Sequence, residues 1–156
     1  MNKPELARGF IGAVFEDVDE GEVLDSYPRH ITLVPPFTLP QLRLEVVDGQ
    51  LQGVLPNWVG SSTVRVGREE FFGDEGDVSV RVVSGSMRTL HDFLCGAVRK
   101  SSIDNIQYIG DNWQPHITDH EGLVEGDALA VRSVCMFLRG NGVKTLYRRY
   151  NLDNAF

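Results

Sequence analysis

Two hydrophobic periods alternate along this chain, and the switches between them mark its elements. Gly9 to Phe15 is a short apolar run that ends abruptly in acidic residues, which predicts a buried central strand. Glu16 to Tyr27 carries Asp17, Asp19, Glu20, Glu22 and Asp25, with Val18, Val23 and Leu24 as its only sizeable apolar side chains. A solvated loop with a short helix is expected there, since no aspartate spacing matches a calcium loop. His30 to Val34 reads as a strand, stopped by Pro35-Pro36, which remove two backbone donors. Leu39 to Trp58 fits both periods: Leu42, Leu44, Val46 and Val47 alternate weakly, whereas Leu51, Val54 and Leu55 fit helical spacing. Strand and helix both stay open for that segment.

Ser62 to Phe72 reads as a strand, Gly73 to Gly76 as a turn, and Val78 to Val83 as the returning partner, with clear alternation. Ser86 to Lys100 then changes period. Ser86 can cap a helix whose Met87, Leu90, Leu94, Ala97 and Val98 form one stripe, and Arg99-Lys100 suit its C-terminal end. Asp104 to Tyr108 leads into a short strand at His116, and Gly122 to Ala128 is a turn or short helix. Ala130 to Leu138 and Val143 to Leu152 are strands joined by Gly140-Asn141-Gly142, a tight-turn signal. Strands outnumber helices and join mostly by hairpins, so the pattern predicts an α+β fold with largely antiparallel sheets in a single domain over residues 1–156.

Charge narrows the function classes. A net charge of −7 and a pI near 5.0 argue against binding long duplex or single-stranded nucleic acid, which relies on many Lys/Arg–phosphate contacts. A small, locally neutralised nucleotide remains compatible. Cys95 and Cys135 lie far apart in apolar surroundings and read as reduced core residues. No stretch approaches the roughly 20 apolar residues of a membrane span, so a soluble, cytoplasmic protein is expected.

The candidate chemistry sits in a repeat. His30-Ile31-Thr32 recurs as His116-Ile117-Thr118, 86 residues on, each with a proline one or two residues ahead. On a strand, His30 and Thr32 share one face while Ile31 and Leu33 take the other, and the second copy repeats this. A lone histidine on a half-buried strand is usually structural. Here two of the four histidines share the same relation to a threonine, and the repetition points to function. Two such strands place two imidazoles and two hydroxyls around one small ligand.

These residues resemble the paired His-x-Thr/Ser signature of the two-histidine (2H) phosphoesterase superfamily, which includes the LigT-like, 2′-5′ RNA ligase-like cyclic phosphodiesterases. His-Ile-Thr-Leu followed by Pro-Pro-Phe at 30–37 resembles the first motif, and Pro-His-Ile-Thr at 115–118 the second. Two departures are Asp119 and His120, which stand where the family usually continues with hydrophobic residues, and the short segment ahead of His30. The resemblance implies two similar sheet-and-helix lobes with approximate twofold symmetry, one motif from each facing a central cleft. Compact members of this size include viral enzymes that destroy cyclic nucleotide signals of bacterial immunity.

Two imidazoles on opposite sides of a phosphodiester can act as base and acid at once near neutral pH, while Thr32 and Thr118 donate to the non-bridging oxygens. No metal or cofactor is needed. Around the motifs, Tyr27, Phe37 and Trp113 are candidates to stack on a base, and Arg148 to meet phosphate; alternation keeps Arg149 off the face that Arg148 takes. A zinc site at His116 and His120 competes, but a strand holds positions i and i+4 roughly 13 Å apart. His91, inside the predicted helix, reads as structural or exposed. The expected activity is metal-independent hydrolysis of a small nucleotide phosphodiester: a 2′,3′-cyclic phosphate, a short 2′-5′ or 3′-5′ oligonucleotide, or a cyclic oligonucleotide messenger. The alternative is a nucleotide-binding module that holds phosphate with the same four residues without turning it over; RNA ligation is a minor reading.

Overall fold

Two antiparallel sheets and two helices make up the fold in a computed structural model, which describes residues 5–58, 63–85, 87–103, 106 and 109–152. The first sheet has the order β2 (Val23–Leu24), β9 (Val143–Asn151), β8 (Ser133–Gly140), β1 (Leu6–Val14), β3 (His30–Pro40). The second runs β6 (His116–Ile117), β5 (Val78–Ser84), β4 (Thr63–Phe72), β7 (Ala128–Ala130). Helices α1 (Gln41–Val54) and α2 (Arg88–Arg99) complete it. No helix among the described residues is long and apolar enough to cross a membrane.

β1 is central because it is apolar on both faces. Ile11 and Ala13 join a core shared by both sheets and both helices, while Val14 joins a smaller cluster with Cys135, Phe137 and Leu146 on the other side. Two of the expectations above are corrected by the location of a strand. β3 continues through Pro35-Pro36 to Pro40. It is an edge strand, and its register against β1 shifts between Val34, opposite Ile11, and Phe37, opposite Gly9. The prolines fall in that irregularity, where missing donors break no ladder. The stretch 130–138 is two strands: β7 ends at Ala130 in one sheet, and β8 begins at Ser133 in the other.

Leu39 to Trp58 resolves into the end of β3, then α1 and a 3₁₀ turn at Leu55–Asn57. α1 buries Leu44, Val47, Asp48 and Leu51, while Leu42 and Val46 are exposed. An acid in the buried stripe and two aliphatics in solvent explain the mixed period. The acidic segment 16–27 holds no helix; it holds β2, two residues paired with Lys144 and Thr145 of β9. α2 buries Leu90, Leu94, Ala97 and Val98 as its stripe predicts. Its expected cap Ser86, the strand start at Ser62 and most of the 104–108 lead-in lie outside the described residues.

Candidate active site at two edge strands

Each His-Ile-Thr copy opens an edge strand of its own sheet, β3 in the first and β6 in the second. His30 lies opposite Val14 and Thr32 opposite Gly12, so both share the face of the smaller cluster, while Ile31 and Leu33 are fully buried in the main core. Gly12 leaves room for the imidazole: a Cβ there would stand 3.3 Å from His30 Cδ2. The ring lies beside Phe10, with 5.1 Å between centroids.

The two histidines are held alike. His30 Nδ1–H donates to the Pro28 carbonyl at 2.8 Å, and His116 Nδ1–H donates to the Gln114 carbonyl at 2.8 Å, in each case two residues back. A carbonyl only accepts, so the proton is on Nδ1 and Nε2 is left open for chemistry. His116 packs edge-on against Phe72 at 4.8 Å, and Ile117 beside it is fully buried. Burial lowers the His30 pKa; the Pro28 hydrogen bond opposes this, and the charge on His116 lowers it further. The strands that carry the two rings, β3 and β6, lie in contact. Thr118, just past β6, is exposed.

Side chains that precede each motif cross to the other. Trp113 Nε1–H donates to the Thr32 carbonyl at 3.0 Å, and Arg29 donates from Nε to the Asp119 carbonyl at 2.7 Å and from Nη2 to that of Glu121 at 2.6 Å. His91 supports the first of these ties: its ring stacks on Trp113 at 4.0 Å, and its Nδ1–H donates to the Leu33 carbonyl at 2.6 Å.

An open cavity of about 610 Å³ takes in His30 and Thr32, with Phe10, Tyr27, Arg8 and Arg139 among its walls. His116 and Thr118 are not part of its lining. A second cavity of about 630 Å³ lies on the far side of Tyr27 and presents Glu16, Asp17 and Glu22. Those carboxylates repel phosphate, whereas the arginines of the first attract it.

No family model matches the sequence, and no curated protein matches it significantly. The fold is shared with a solved phosphoesterase. That crystal structure, described as a phosphoesterase, aligns with a TM-score of 0.55 at 12% identity over 95% of this chain and 99% of its own. A phosphoesterase fold is thus reached from structure where sequence comparison is silent.

The other expected binding residues divide. Tyr27 lines the cavity, edge-on to Phe10 at 4.8 Å. Phe37 also borders it but is 2% exposed, with its ring in the main core. Trp113 is committed to His91 and Thr32, so its stacking partner is an imidazole of the protein itself. Arg148 is corrected: it sits opposite Met136, on the helix side of the sheet, where Nε donates to Asp48 at 3.3 Å and the guanidinium lies over Tyr147. A register shift between Met136 and Phe137 sets this phase, so Arg149 takes the Cys135 side, where it binds the Val18 carbonyl and Asp17. His120 is hydrogen-bonded to Ser79 at 3.0 Å. Among the described residues no group of three or more His, Cys, Asp or Glu side chains gathers to hold a metal. Burial pushes both cysteine thiols up to about 11, so neither is a nucleophile near neutral pH. Arg8, Phe10 and Arg139 were missed by sequence reasoning; the alternation Arg8-x-Phe10-x-Gly12 into the apolar run is the signal that marks the first two, and Arg139 is placed only by its register opposite Arg8.

Proposed function

We propose that this protein is a metal-independent phosphodiesterase of the two-histidine type, acting on a small nucleotide with His30 and His116 as its proton-transfer pair. The observation that carries the reading is the matched tether: both Nδ1 atoms donate to the carbonyl two residues back, leaving two free Nε2 atoms. The shared phosphoesterase fold supports the reaction class. Two edge strands that begin alike, in sheets tied by Trp113 and Arg29, support a pair of related lobes facing one cleft.

His30 suits the base, because burial favours its neutral form. Its Nε2 takes a proton from water as the water oxygen bonds to phosphorus. His116 enters the step as the imidazolium, with protons on both nitrogens, and gives its Nε2 proton to the departing ester oxygen as the P–O bond breaks; solvent exchange resets both rings. Thr32 and Thr118 hold the non-bridging oxygens. Products are a phosphomonoester and an alcohol. The substrate is a 2′,3′-cyclic phosphate, a short 2′-5′ or 3′-5′ oligonucleotide or a cyclic oligonucleotide.

The test is incubation of such a panel in excess EDTA, beside His30→Ala and His116→Ala. EDTA-resistant cleavage that either substitution reduces by about 100-fold or more supports the reading. Ligand binding with no turnover by the parent protein would replace it with a nucleotide-binding module.

A further inference from the structure

Three cations stand in a row across the first sheet. Arg8 of β1 is directly opposite Arg139 of β8, and Arg139 is directly opposite Lys144 of β9. Like charges at opposed positions repel, and the chain carries a net charge of −7, with acids to spare for pairing. Yet among the described residues no carboxylate lies within ion-pairing distance of any of the three. Lys144 Nζ donates to the Asp25 carbonyl at 3.5 Å, which leaves the opposed arginine pair without a carboxylate among the described residues.

Two of the three belong to the cavity that holds His30 and Thr32, and the third stands beside it. Arg8 and Arg139 both line it, and the Lys144 ammonium lies 5.3 Å from the centre of the Tyr27 ring, another wall. Gly12, the partner of Thr32, stands four positions along β1 from Arg8, a span of roughly 13 Å. Phe10 lies between, with Tyr27 against it, so the floor from the histidine to the cations is aromatic. That layout is an anion site, an apolar floor and a second anion site in line. A nucleoside on the floor brings a phosphate to each end.

We propose that Arg8, Arg139 and Lys144 form a second phosphate site, which selects substrates bearing a further phosphate one nucleoside away from the one at His30 and Thr32. The inference rests on the phosphodiesterase reading for the role of the first site. A terminal phosphomonoester and an internal phosphodiester offer the same anionic oxygens, so the probes must separate them.

The experiment measures affinity by calorimetry in the His116→Ala background, with and without R8Q/R139Q. Probes are 2′-5′-linked diadenylate, the same dimer with a phosphate at either end, and the unphosphorylated trimer. An added phosphate should tighten binding by about tenfold or more, as expected for charge-assisted hydrogen bonds, and R8Q/R139Q should bring that ratio near one. Both arginines are exposed, so the variant should fold; R8K/R139K should restore part of the preference. Tightening by the trimer assigns an internal diester, and tightening by the terminal phosphate alone a monoester. Equal affinity for all probes, or a preference that survives R8Q/R139Q, overturns the site. Turnover of the same probes by the parent protein is read separately. Cleavage without phosphate preference keeps the phosphodiesterase and removes the second site; phosphate-dependent binding without cleavage does the reverse; and no binding of any probe removes the second site, leaving the phosphodiesterase to be decided by the wider panel above.

Discussion

Trp113 donates its indole N–H to the carbonyl oxygen of Thr32 at 3.0 Å, so a residue just ahead of the second motif grips the backbone of the first. The bond joins β3 to the segment that leads into β6, the two edge strands whose relative position sets the distance between the imidazoles. Trp113→Phe keeps a ring against His91 but leaves the carbonyl without its donor, which should cost about 1–3 kcal/mol of stability. Turnover should fall more than the loss of folded protein explains, by about tenfold to a hundredfold, because displaced catalytic groups are penalised steeply. Thermal unfolding and kcat on the same preparation separate the two effects.

Arg29 makes the reciprocal tie, to the carbonyls of Asp119 and Glu121 just past Thr118. Arg29→Lys retains charge but cannot span both acceptors with one planar fork. It should raise KM or lower kcat while shifting Tm little. An unaltered kcat/KM would show that the loop after Thr118 does not depend on this clamp.

Acid should destabilise the fold through two histidines. Burial lowers the pKa of His91, against the opposing effect of its bond to the Leu33 carbonyl, and burial lowers that of His30 as well. His91 Nε2 accepts the Gly110 N–H at 3.1 Å, so a proton there would face a donor. Unfolded imidazoles take up protons near pH 6.5, folded ones only at lower pH. The unfolded state therefore binds more protons below about 6.5, and stability is lost from there down to the folded pKa values. Tm should be level from pH 8 to 7 and fall below about 6.5, with less fall in His91→Gln. Histidine resonances of His30 and His91 titrating at or above the ordinary value would contradict this. The acid limb of kcat/KM should follow His30.

Two glycines of β1 test packing beneath the site. An added Cβ at Gly9 would run into the Phe137 carbonyl in the β1–β8 ladder, so Gly9→Ala should cost about 1–3 kcal/mol. At Gly12 the Cβ would stand 3.3 Å from His30 Cδ2 and from the Ile31 carbonyl. Gly12→Ala should hurt turnover more than stability, as comparison of kcat with urea midpoints will tell.

Arg148 should matter for the fold. Asp48, 8% exposed, receives Arg148 Nε, Gln52 Nε2 and, at 2.7 Å, the Tyr150 hydroxyl. Tyr150→Phe should cost about 1.5–3 kcal/mol, the range for a hydrogen bond to a charged group, with KM unchanged. Chemical denaturation and steady-state kinetics check the two halves.

The paired His-Ile-Thr copies, the antiparallel strands with their turns and the stripe of α2 were legible in the sequence, because each rests on local period and residue type. α1 was not, because Asp48 occupies its buried stripe and, besides Gln52 one turn on, is held by Arg148 and Tyr150 of β9, a hundred residues away. The prolines of β3 and the division of 130–138 between sheets depended on which strands are edges, a property of pairing that no local pattern carries. The side of the sheet taken by Arg148 turned on one register shift in β9. Sequence alone therefore determined which side chains carry the candidate chemistry. Tertiary structure alone decided that both imidazoles are tethered through Nδ1, that Arg29 and Trp113 cross between motifs, and that Arg8, Arg139 and Lys144 align. The tethers are local bonds whose geometry residue type does not specify, while the crossings and the aligned cations join segments distant in the chain, where register and edge position set which atoms meet.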